Sequence, residues 1–444
     1  MVQAEDRSGR LAVGRPQLRP WHFVLLFGLV SLFADMVYEG ARSIIGPYLA
    51  TLGASATVVG VVAGAGEFIG YGLRVVSGYL VQRRGHYWAW TITGYALTVL
   101  SVPLIGSTNV IAPALVLYGT ERLGKAVRSP AKDTLLSCAS TQTGRGTAFG
   151  VHQAMDQAGA MAGPLLLAAV LSQHEGNYRL AFGVLIVPGL VVLGLLFWLR
   201  HRVPDPLVYE LGGSARHDQA PQDQALQDQE PHDPTPSGEA PHDPGDGSEG
   251  HADGSTRVRL PPLLWQYIGT IGLLSLGIAS FPLLAFHAQT QHLLTSAQVP
   301  LLFALAMMVD GLSGLLMGRF YDRLGPQVLL VVPVAAGVAA IAFTQNATLI
   351  WVGVAVWGLV HGVMDSTVKA VVTELVVPTS RSIAFGWLAL VRGFGLLAAG
   401  VSLGFAYDQS ITVAVWLILG VNAAAMAMLT WVLARLRAGL RVRL

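Results

Sequence analysis

Charged side chains recur at helical spacing inside long apolar runs of this sequence. Asp35, Glu39 and Arg42 stand at positions i, i+4 and i+7, which places all three on one face of a helix. Further along, the segment ERLGKAVRSPAKDTLL begins at Glu121 and carries its next charge on the same face at Lys125. A carboxylate held among apolar residues can bind and release a proton, and a nearby cation can neutralise it. The spacing therefore indicates helices that carry titratable groups through apolar surroundings.

The composition identifies those surroundings as a membrane. Hydrophobic residues make up 53% of the 444 positions, charged residues make up 12%, and the mean hydropathy is +0.54. Since a soluble domain of this size needs far more charge on its surface, we predict an all-α polytopic membrane protein, and neither an enzyme nor a nucleic-acid-binding protein. The single cysteine, Cys138, excludes a disulfide framework and a cysteine-based metal cluster. No motif indicates a metal site or a cofactor.

Twelve apolar runs are long enough to cross a bilayer about 30 Å thick as helices. Arginines, including Arg83, Arg145 and Arg200, cluster at one set of run ends, whereas the other set contains only Arg179. By the positive-inside rule both termini are cytoplasmic, and the chain is a multi-pass protein of the cell membrane. The predicted spans cover 22–50, 56–81, 87–105, 110–137, 146–171, 178–200, 261–287, 297–321, 327–344, 348–376, 382–406 and 411–435.

Several charges fall near the middle of these spans. At 1.5 Å per residue, roughly ten residues from a span end reach the bilayer centre, where charges face a cavity or a partner. The acids at that depth are candidates for proton exchange, namely Asp35, Glu67, Glu121 and Asp156. Polar residues around them are candidates for a substrate cavity, namely Glu39, Arg42, Arg122, Lys125, Arg128, His152, His361, Asp365 and Arg392.

A permanent ion-pair network is the alternative interpretation of these charges. We favour it for the charges nearer the span ends, which are Arg42, Arg74, Lys132 and Asp133. In the second half, Asp310 is a further isolated charge. A lone histidine such as His361 is more often a hydrogen-bonded scaffold residue than a proton relay.

The composition also divides the chain. We predict a cytoplasmic tail over 1–20, a six-helix bundle over 21–202, a linker over 203–259, a second bundle over 260–436 and a tail over 437–444. The linker is rich in Asp, Gln, Pro, Gly and His and has almost no apolar residues. Because such a segment cannot repay its ordering entropy, we expect a disordered cytoplasmic tether.

The two halves resemble each other. SPAKDTLL is followed by GTAFG in the first half, as STVKAVV is followed by SIAFG in the second, and 77–85 corresponds to 317–325. Over nearly its whole length outside the linker and tails, the sequence resembles the major facilitator superfamily. The resemblance implies two pseudo-symmetric six-helix bundles and a monomeric transporter that works by alternating access in the lipid bilayer.

The loop after the second span is similar to that superfamily's G-x-L-x-D-R-x-G-R motif, which is thought to act as a latch for the outward-facing state. Gln82 replaces the acid in the first copy of the motif. Gating is therefore expected to depend on Asp322 and Arg323 of the second copy. The matching residues are Gly78, Arg83, Gly85, Gly318, Asp322, Arg323 and Gly325.

The fifth span, GVHQAMDQAGAMAGPLLLA, is similar to the glycine-spaced signature of the superfamily's proton antiporters. Its matching residues are Gly150, Gly159, Gly163 and Pro164. Small residues four apart let helices approach closely and proline bends a helix, so ordinary small-residue packing is the alternative. Arg122 resembles the basic residue of the family's fourth-span motif, which implies that it assists proton transfer.

Together these features predict a transporter of a small polar or ionic solute by proton-coupled export. Protonation of the midplane acids from outside would weaken substrate binding, and deprotonation inside would restore it. The basic residues of the fourth span favour an alternative, an organic-anion importer or exchanger. A non-transporting sensor or scaffold on the same fold is a third possibility, with the linker as its partner-binding segment.

Overall fold

The computed structural model describes residues 18–140, 143, 145–206, 208–209, 260–377 and 380–441. Within these ranges the chain forms helices and short connections, and no strands. Most of the predicted linker and tails lies outside the described residues, although the last helix continues to Arg441.

Each predicted span corresponds to one helix or to two or three helical segments. The sixth span is interrupted at Leu185, the seventh between Leu276 and Phe281, and the ninth is a short helix between 3-10 turns. The bounds are α1 (Pro20–Thr51), α2 (Ala56–Arg84), α3 (Tyr87–Ile105), α4 (Ile111–Ser140), α5 (Arg145–Gln173), α6 (Tyr178–Val184 and Ile186–Arg202), α7 (Pro262–Leu276 and Phe281–Thr290), α8 (Gln298–Leu324), α9 (Val331–Ala339, between the turns Gly325–Leu330 and Ala340–Phe343), α10 (Ala347–Leu375), α11 (Arg381–Gln409) and α12 (Ile411–Arg441).

Ten stretches of the described chain are long and apolar enough to span a membrane. One of these stretches, Gln298–Phe343, contains both α8 and α9. The helix α4 falls outside this set because four charges, from Glu121 to Arg128, interrupt its apolar part. Counting these two cases restores the twelve predicted spans, and the predicted all-α fold is confirmed.

The helix contacts repeat between the halves. In the first half α1 packs on α5, α2 on α4 and α3 on α4, and in the second half α7 packs on α11, α8 on α10 and α9 on α10. Between the halves, α2 packs on α11 as α8 packs on α5. This repetition is the pseudo-symmetry that the internal sequence similarity predicts, and it leaves a space between the halves at the centre.

The seventh span is broken beside that central space. Its interruption frees two carbonyl groups, which take side-chain donors from other helices: Asn422 Nδ2 donates to the Gly277 carbonyl (2.8 Å) and Trp357 Nε1 donates to the Ala279 carbonyl (2.7 Å). Unsatisfied backbone groups are costly in hydrocarbon, so these bonds make the break possible.

The helix ends meet at two faces of the molecule. We call the face that contains Pro20, Arg84 and Arg441 the termini face, and the one that contains Thr51 and Ala56 the opposite face. At the termini face, the turns after α2 and α8 place their glycines at φ +69° (residue 85) and φ +66° (residue 325), a left-handed conformation that favours glycine. The two copies of the loop motif therefore end their helices in the same way.

Glycines of the fifth span bring α5 against α1. A Cβ on Gly159 would collide with the Leu32 carbonyl, and one on Gly163 would collide with the Met36 carbonyl. Gly150, by contrast, faces open space. Two of the three motif glycines thus act in close helix packing, as small residues four apart do elsewhere.

We predict that Gly163→Ala lowers thermal stability and that Gly150→Ala does not. The added methyl overpacks the contact with α1, which typically costs about 1–3 kcal/mol, whereas an open helical position gains up to about 1 kcal/mol when Gly becomes Ala. Thermal unfolding of both purified variants in the same detergent measures the difference. Equal unfolding temperatures for the two variants would contradict the packing role.

Candidate functional site: a charged cavity between the halves

A cavity of about 270 Å³ lies between the two halves. Residues of α1, α2, α4 and α5 line it from the first half, and residues of α7, α8, α10 and α11 line it from the second. Its wall contains more carboxylates than cations. The carboxylates are Asp35, Glu39, Glu67, Asp156, Asp310 and Asp365, and the cations are Arg42, Lys125 and Arg392, with His361 beside them.

Arg42 on α1 joins two of the carboxylates. Its guanidinium lies 3.1 Å from Glu67 on α2 and 3.6 Å from Glu39 on its own helix. On α4, the Lys125 ammonium is 3.8 Å from Glu39 and 4.2 Å from the ring centroid of Tyr38. These contacts tie three helices of the first half together at the cavity wall.

Glu121 and Arg122 lie behind this wall and do not line the cavity. Arg122 Nε is 2.7 Å from Glu121 Oε2, and its Nη1 is 3.5 Å from Glu67. Both side chains are at most 2% exposed. The prediction that Arg122 lines the cavity is therefore corrected. Because α4 packs against α2 and α3, the Glu121–Arg122 pair lies in the interface among these three helices.

Arg128 is also behind the wall, contrary to the sequence prediction. It is buried, and its guanidinium lies 5.2 Å from the Tyr38 ring and 4.2 Å from the Tyr95 ring. Aromatic faces attract cations at such distances. The charge stripe on α4 thus divides: Lys125 reaches the cavity, and Arg128 packs between α1 and α3.

Asp156 on α5 is the fourth carboxylate of the first-half wall, after Asp35, Glu39 and Glu67. Its carboxylate is 3.8 Å from Lys132 and 3.6 Å from His152. His152 is itself buried, and its Nε2 lies 3.2 Å from the Ser31 hydroxyl and 3.1 Å from Lys132 Nζ. It does not line the cavity, in contrast to the sequence prediction. The i, i+4 spacing of His152 and Asp156 produces their contact, but only the carboxylate reaches the cavity.

In the second half, Arg392 on α11 pairs with Asp365 on α10 at 2.8 Å. The same guanidinium lies 5.3 Å from the ring of Tyr71 on α2, so it contacts both halves. The His361 ring packs on Trp357 at 4.1 Å between ring centroids. All three predicted residues of the second half therefore line the cavity.

Asp35 and Asp310 differ from the other cavity carboxylates because neither forms an ion pair within the described part of the chain. Asp35 is only 7% exposed and has the Tyr38 hydroxyl as its hydrogen-bonding neighbour. Asp310 has Gln157 of α5 in the same role, and Gln157 Nε2 also donates to the Met307 carbonyl at 2.7 Å. Sequence analysis noted Asp310 without assigning it to the site, although its isolation in an apolar span was the available signal.

The opposite face is closed by contacts between the halves. Asp408, in the last turn of α11, accepts hydrogen bonds from the Ala56 amide (2.9 Å) and from the Thr57 amide (2.8 Å) and hydroxyl (2.5 Å). A carboxylate is unfavourable at the C-terminal end of its own helix but favourable at the N-terminus of another, here α2. Sequence analysis missed Asp408, since only the packing of α2 on α11 reveals its partner.

The loop motifs of the termini face make no comparable contact. Arg83, Asp322 and Arg323 are exposed and take part in no ion pair among the described residues. Gly78 lies 3.8 Å from Pro130, measured from the position of an added Cβ, and Gly318 faces open space. The structure thus places the predicted gating residues at the surface, and the hydrogen bonds that Asp408 accepts from the first half at the other face.

We predict that Arg122→Met destabilises the fold by about 3–5 kcal/mol, because it leaves the buried Glu121 carboxylate without its partner. Adding Glu121→Gln should restore part of that loss. Thermal unfolding in detergent of the wild type, both single variants and the double variant measures the coupling. Additive effects would contradict a buried pair, and an altered pH profile of transport with unchanged stability would instead favour the proton-transfer role.

We predict that Asp408→Ala opens the opposite face more often. Replacing Ser280 of the cavity wall by cysteine, in a Cys138→Ser background, provides a site for a membrane-impermeant maleimide. Labelling from the opposite face, in vesicles of each orientation, should be faster with Asp408→Ala than without it. Glu175→Gln, an exposed change in the loop between α5 and α6, is the control, and equal rates would contradict a latch.

Comparison with known proteins agrees with this architecture. The profile of the Major Facilitator Superfamily matches residues 25–400. An uncharacterised protein of Mycobacterium tuberculosis is 42% identical over 426 residues, 95% of both chains. Among solved structures, a mutant of the nucleoside transporter NupG superimposes with a TM-score of 0.69 at 11% identity, over 93% of this chain and 99% of that one.

A bacterial homologue of the human lysosomal transporter Spinster, in an inward-facing and unoccupied conformation, superimposes with a TM-score of 0.64 at 13% identity, over 95% of this chain and 96% of that one. Such low identities establish the fold alone. The profile match and the helix arrangement together identify this multi-pass membrane protein as a member of the Major Facilitator Superfamily and as a transporter.

Proposed function

We propose that the chain exports a small polar or ionic solute across the cell membrane by alternating access, in exchange for protons. The observation that carries the proposal is the cavity between the halves, whose wall holds six carboxylates and three cations. Charges at membrane depth are energetically costly, and they usually mark a binding site or a transport path. A site at the interface of two repeats is where a transporter of this kind binds its substrate.

Proton coupling follows from competition for the cavity carboxylates. When protons reach the cavity from outside, neutral carboxyl groups hold a solute less strongly and it leaves. When the cavity communicates with the cytoplasm, loss of those protons restores binding. Asp35 and Asp156 are the acids proposed for this exchange, because both line the cavity. Glu121 and Glu67, each close to Arg122, have the weaker case.

The closed opposite face supports an inward-facing state with both termini in the cytoplasm, the orientation that the arginine distribution favours. The fifth-span glycines support the antiporter branch only indirectly, since two of them pack on α1. Nucleosides and peptides are the substrates named for structural neighbours of this chain, and neither is carried over at 11–13% identity.

The alternative remains an organic-anion importer or exchanger. The observation in its favour is that Arg42, Lys125 and Arg392 line the cavity. Each of these cations has a carboxylate within 4 Å, which leaves less positive charge for an anionic solute than the sequence indicates.

We predict that purified chain in proteoliposomes dissipates an imposed pH gradient when its solute is supplied, and that Asp156→Asn flattens the pH dependence of that flux. The substitution keeps the shape of the side chain but removes the titrating carboxylate. A pH-sensitive dye inside the vesicles reports proton movement for a panel of amines, carboxylates, sugars and amino acids, with Glu175→Gln as the control. If no solute moves protons in either direction, proton-coupled export is wrong.

A further inference from the structure

We propose that the cavity binds a small organic cation, whose positive charge is held by Asp35 and Asp310 and competes there with protons. This assignment rests on the transport function proposed above and names its substrate class. It begins with the charge balance of the wall, six carboxylates against three cations. Because Arg42, Lys125 and Arg392 already have acidic partners, the uncompensated charge of the cavity is negative.

The uncompensated charge is located at two residues. Glu39, Glu67, Asp156 and Asp365 each have a cation within 4 Å, whereas Asp35 and Asp310 have none among the residues that the structure describes. Asp35 is buried and Asp310 is half-buried, and a carboxylate in such a place without a counter-charge is unfavourable unless a proton or a cationic ligand relieves it. Two such groups in one cavity therefore specify a ligand that brings positive charge.

Asp35 and Asp310 border the same stretch of α5 from different halves. A Cβ on Gly159 of α5 would lie 3.0 Å from the Asp35 Cβ, and Gln157, two residues earlier, is the neighbour of Asp310. Gln157 also contacts α8 at Gly311, where an added Cβ would lie 3.0 Å from the Gln157 side chain. Asp35 thus reaches the cavity from α1 of the first half and Asp310 from α8 of the second, so a cation that both carboxylates attract links its binding to the relative position of the halves.

The dimensions of the cavity restrict the ligand further. Pockets for drug-sized ligands occupy about 300–1,000 Å³, and this cavity, at about 270 Å³, lies below that range. A small alkylammonium or aromatic amine is therefore the expected class, rather than a large lipophilic drug. The aromatic rings at the wall, Tyr38 and Tyr71, already make cation–π contacts with Lys125 and Arg392 of the chain itself. The carboxylates are therefore the groups that would recognise the charge of the ligand.

Binding should strengthen as pH rises, because ionised carboxylates attract the cation and protonated ones do not. The groups that face the two acids from neighbouring helices change the strength of this effect without changing its sign. Around Asp35 they are Tyr38, Lys125, Arg128, Lys132 and Asp156, and around Asp310 they are Glu39, Arg42, Gln157 and Asp365.

The test is calorimetric binding to the purified full chain in detergent. The probes are tetramethylammonium, tetraethylammonium and benzyltrimethylammonium, with benzoate as the anionic comparison. We expect at least one cation to bind, more tightly at about pH 8 than at about pH 5, where carboxyl groups start to protonate. Asp35→Asn and Asp310→Asn should each weaken cation binding about tenfold or more, because each removes a charge from the pair. Glu175→Gln should not.

A second measurement keeps the test decisive if a variant folds poorly. In weakly buffered solution, addition of the cation to wild-type protein should release protons, and the double variant Asp35→Asn with Asp310→Asn should release none. Failure of all three cations to bind, tighter binding of benzoate, or an unchanged affinity in the double variant would falsify the proposal. Cation binding without coupled flux in proteoliposomes contradicts the transport function alone, whereas coupled flux of an anion contradicts the cation site alone.

Discussion

The structure depends on one constraint, which is that a charge in an apolar interior needs an opposite charge or a polar space beside it. The effective penalty for an unmatched buried ion is several kcal/mol, comparable to the whole stability of a folded domain. In the first half, Glu39, Glu67 and Glu121 are matched by Arg42, Arg122 and Lys125. These pairs join α1, α2 and α4, so the charges that make the sequence unusual also hold its first bundle together.

The contact between α2 and α11 joins the two halves along a close-packed seam. The two helices run antiparallel: Gly60 meets Gly400, Gly404 meets Ala56, and these contacts are made between backbones. Small residues at these positions let the two backbones approach closely. Asp408 secures its end at the opposite face. The first loop motif, at the other face, carries Gln82 where the family motif has an acid, and the hydrogen bonds of this seam lie at the opposite face.

Hydropathy and arginine distribution were sufficient to predict the twelve spans. Membrane thickness fixes the length of each helix, and the internal repeat implies the same number of helices in each half. Helical periodicity correctly grouped Asp35 with Glu39 and Arg42 on the cavity side, but it placed Arg128 there too. Spacing alone shows which residues share one face of a helix. Whether that face points toward the cavity depends on how the neighbouring helices pack against it. For α4 that rotation is set by its packing on α2 and α3, which no local pattern records.

Asp310 and Asp408 illustrate the same limit in a different form. Each is a single acid without a charged neighbour at helical spacing, so periodicity gives it no weight. Their significance comes from other helices: α5 supplies Gln157 beside Asp310, and α2 supplies the amide groups for Asp408. An isolated acid in an apolar helix should therefore be weighed as a site residue because it lacks a local partner.

The length of the ion pairs divides the charges into two groups with different consequences. The shortest contact of each paired arginine is 2.7 Å for Arg122 (to Glu121), 2.8 Å for Arg392 (to Asp365) and 3.1 Å for Arg42 (to Glu67), whereas Lys125 and Lys132 each lie 3.8 Å from their carboxylates. A guanidinium is planar and stays charged, so its pairs suit a permanent scaffold; an ammonium on a flexible stem adjusts its position at little cost. Lys132 stands beside Asp156, the acid proposed for proton exchange. In the proposed exchange, Lys132 would neutralise that carboxylate after the proton leaves, so the cavity would change its charge while the arginine pairs keep the bundle intact.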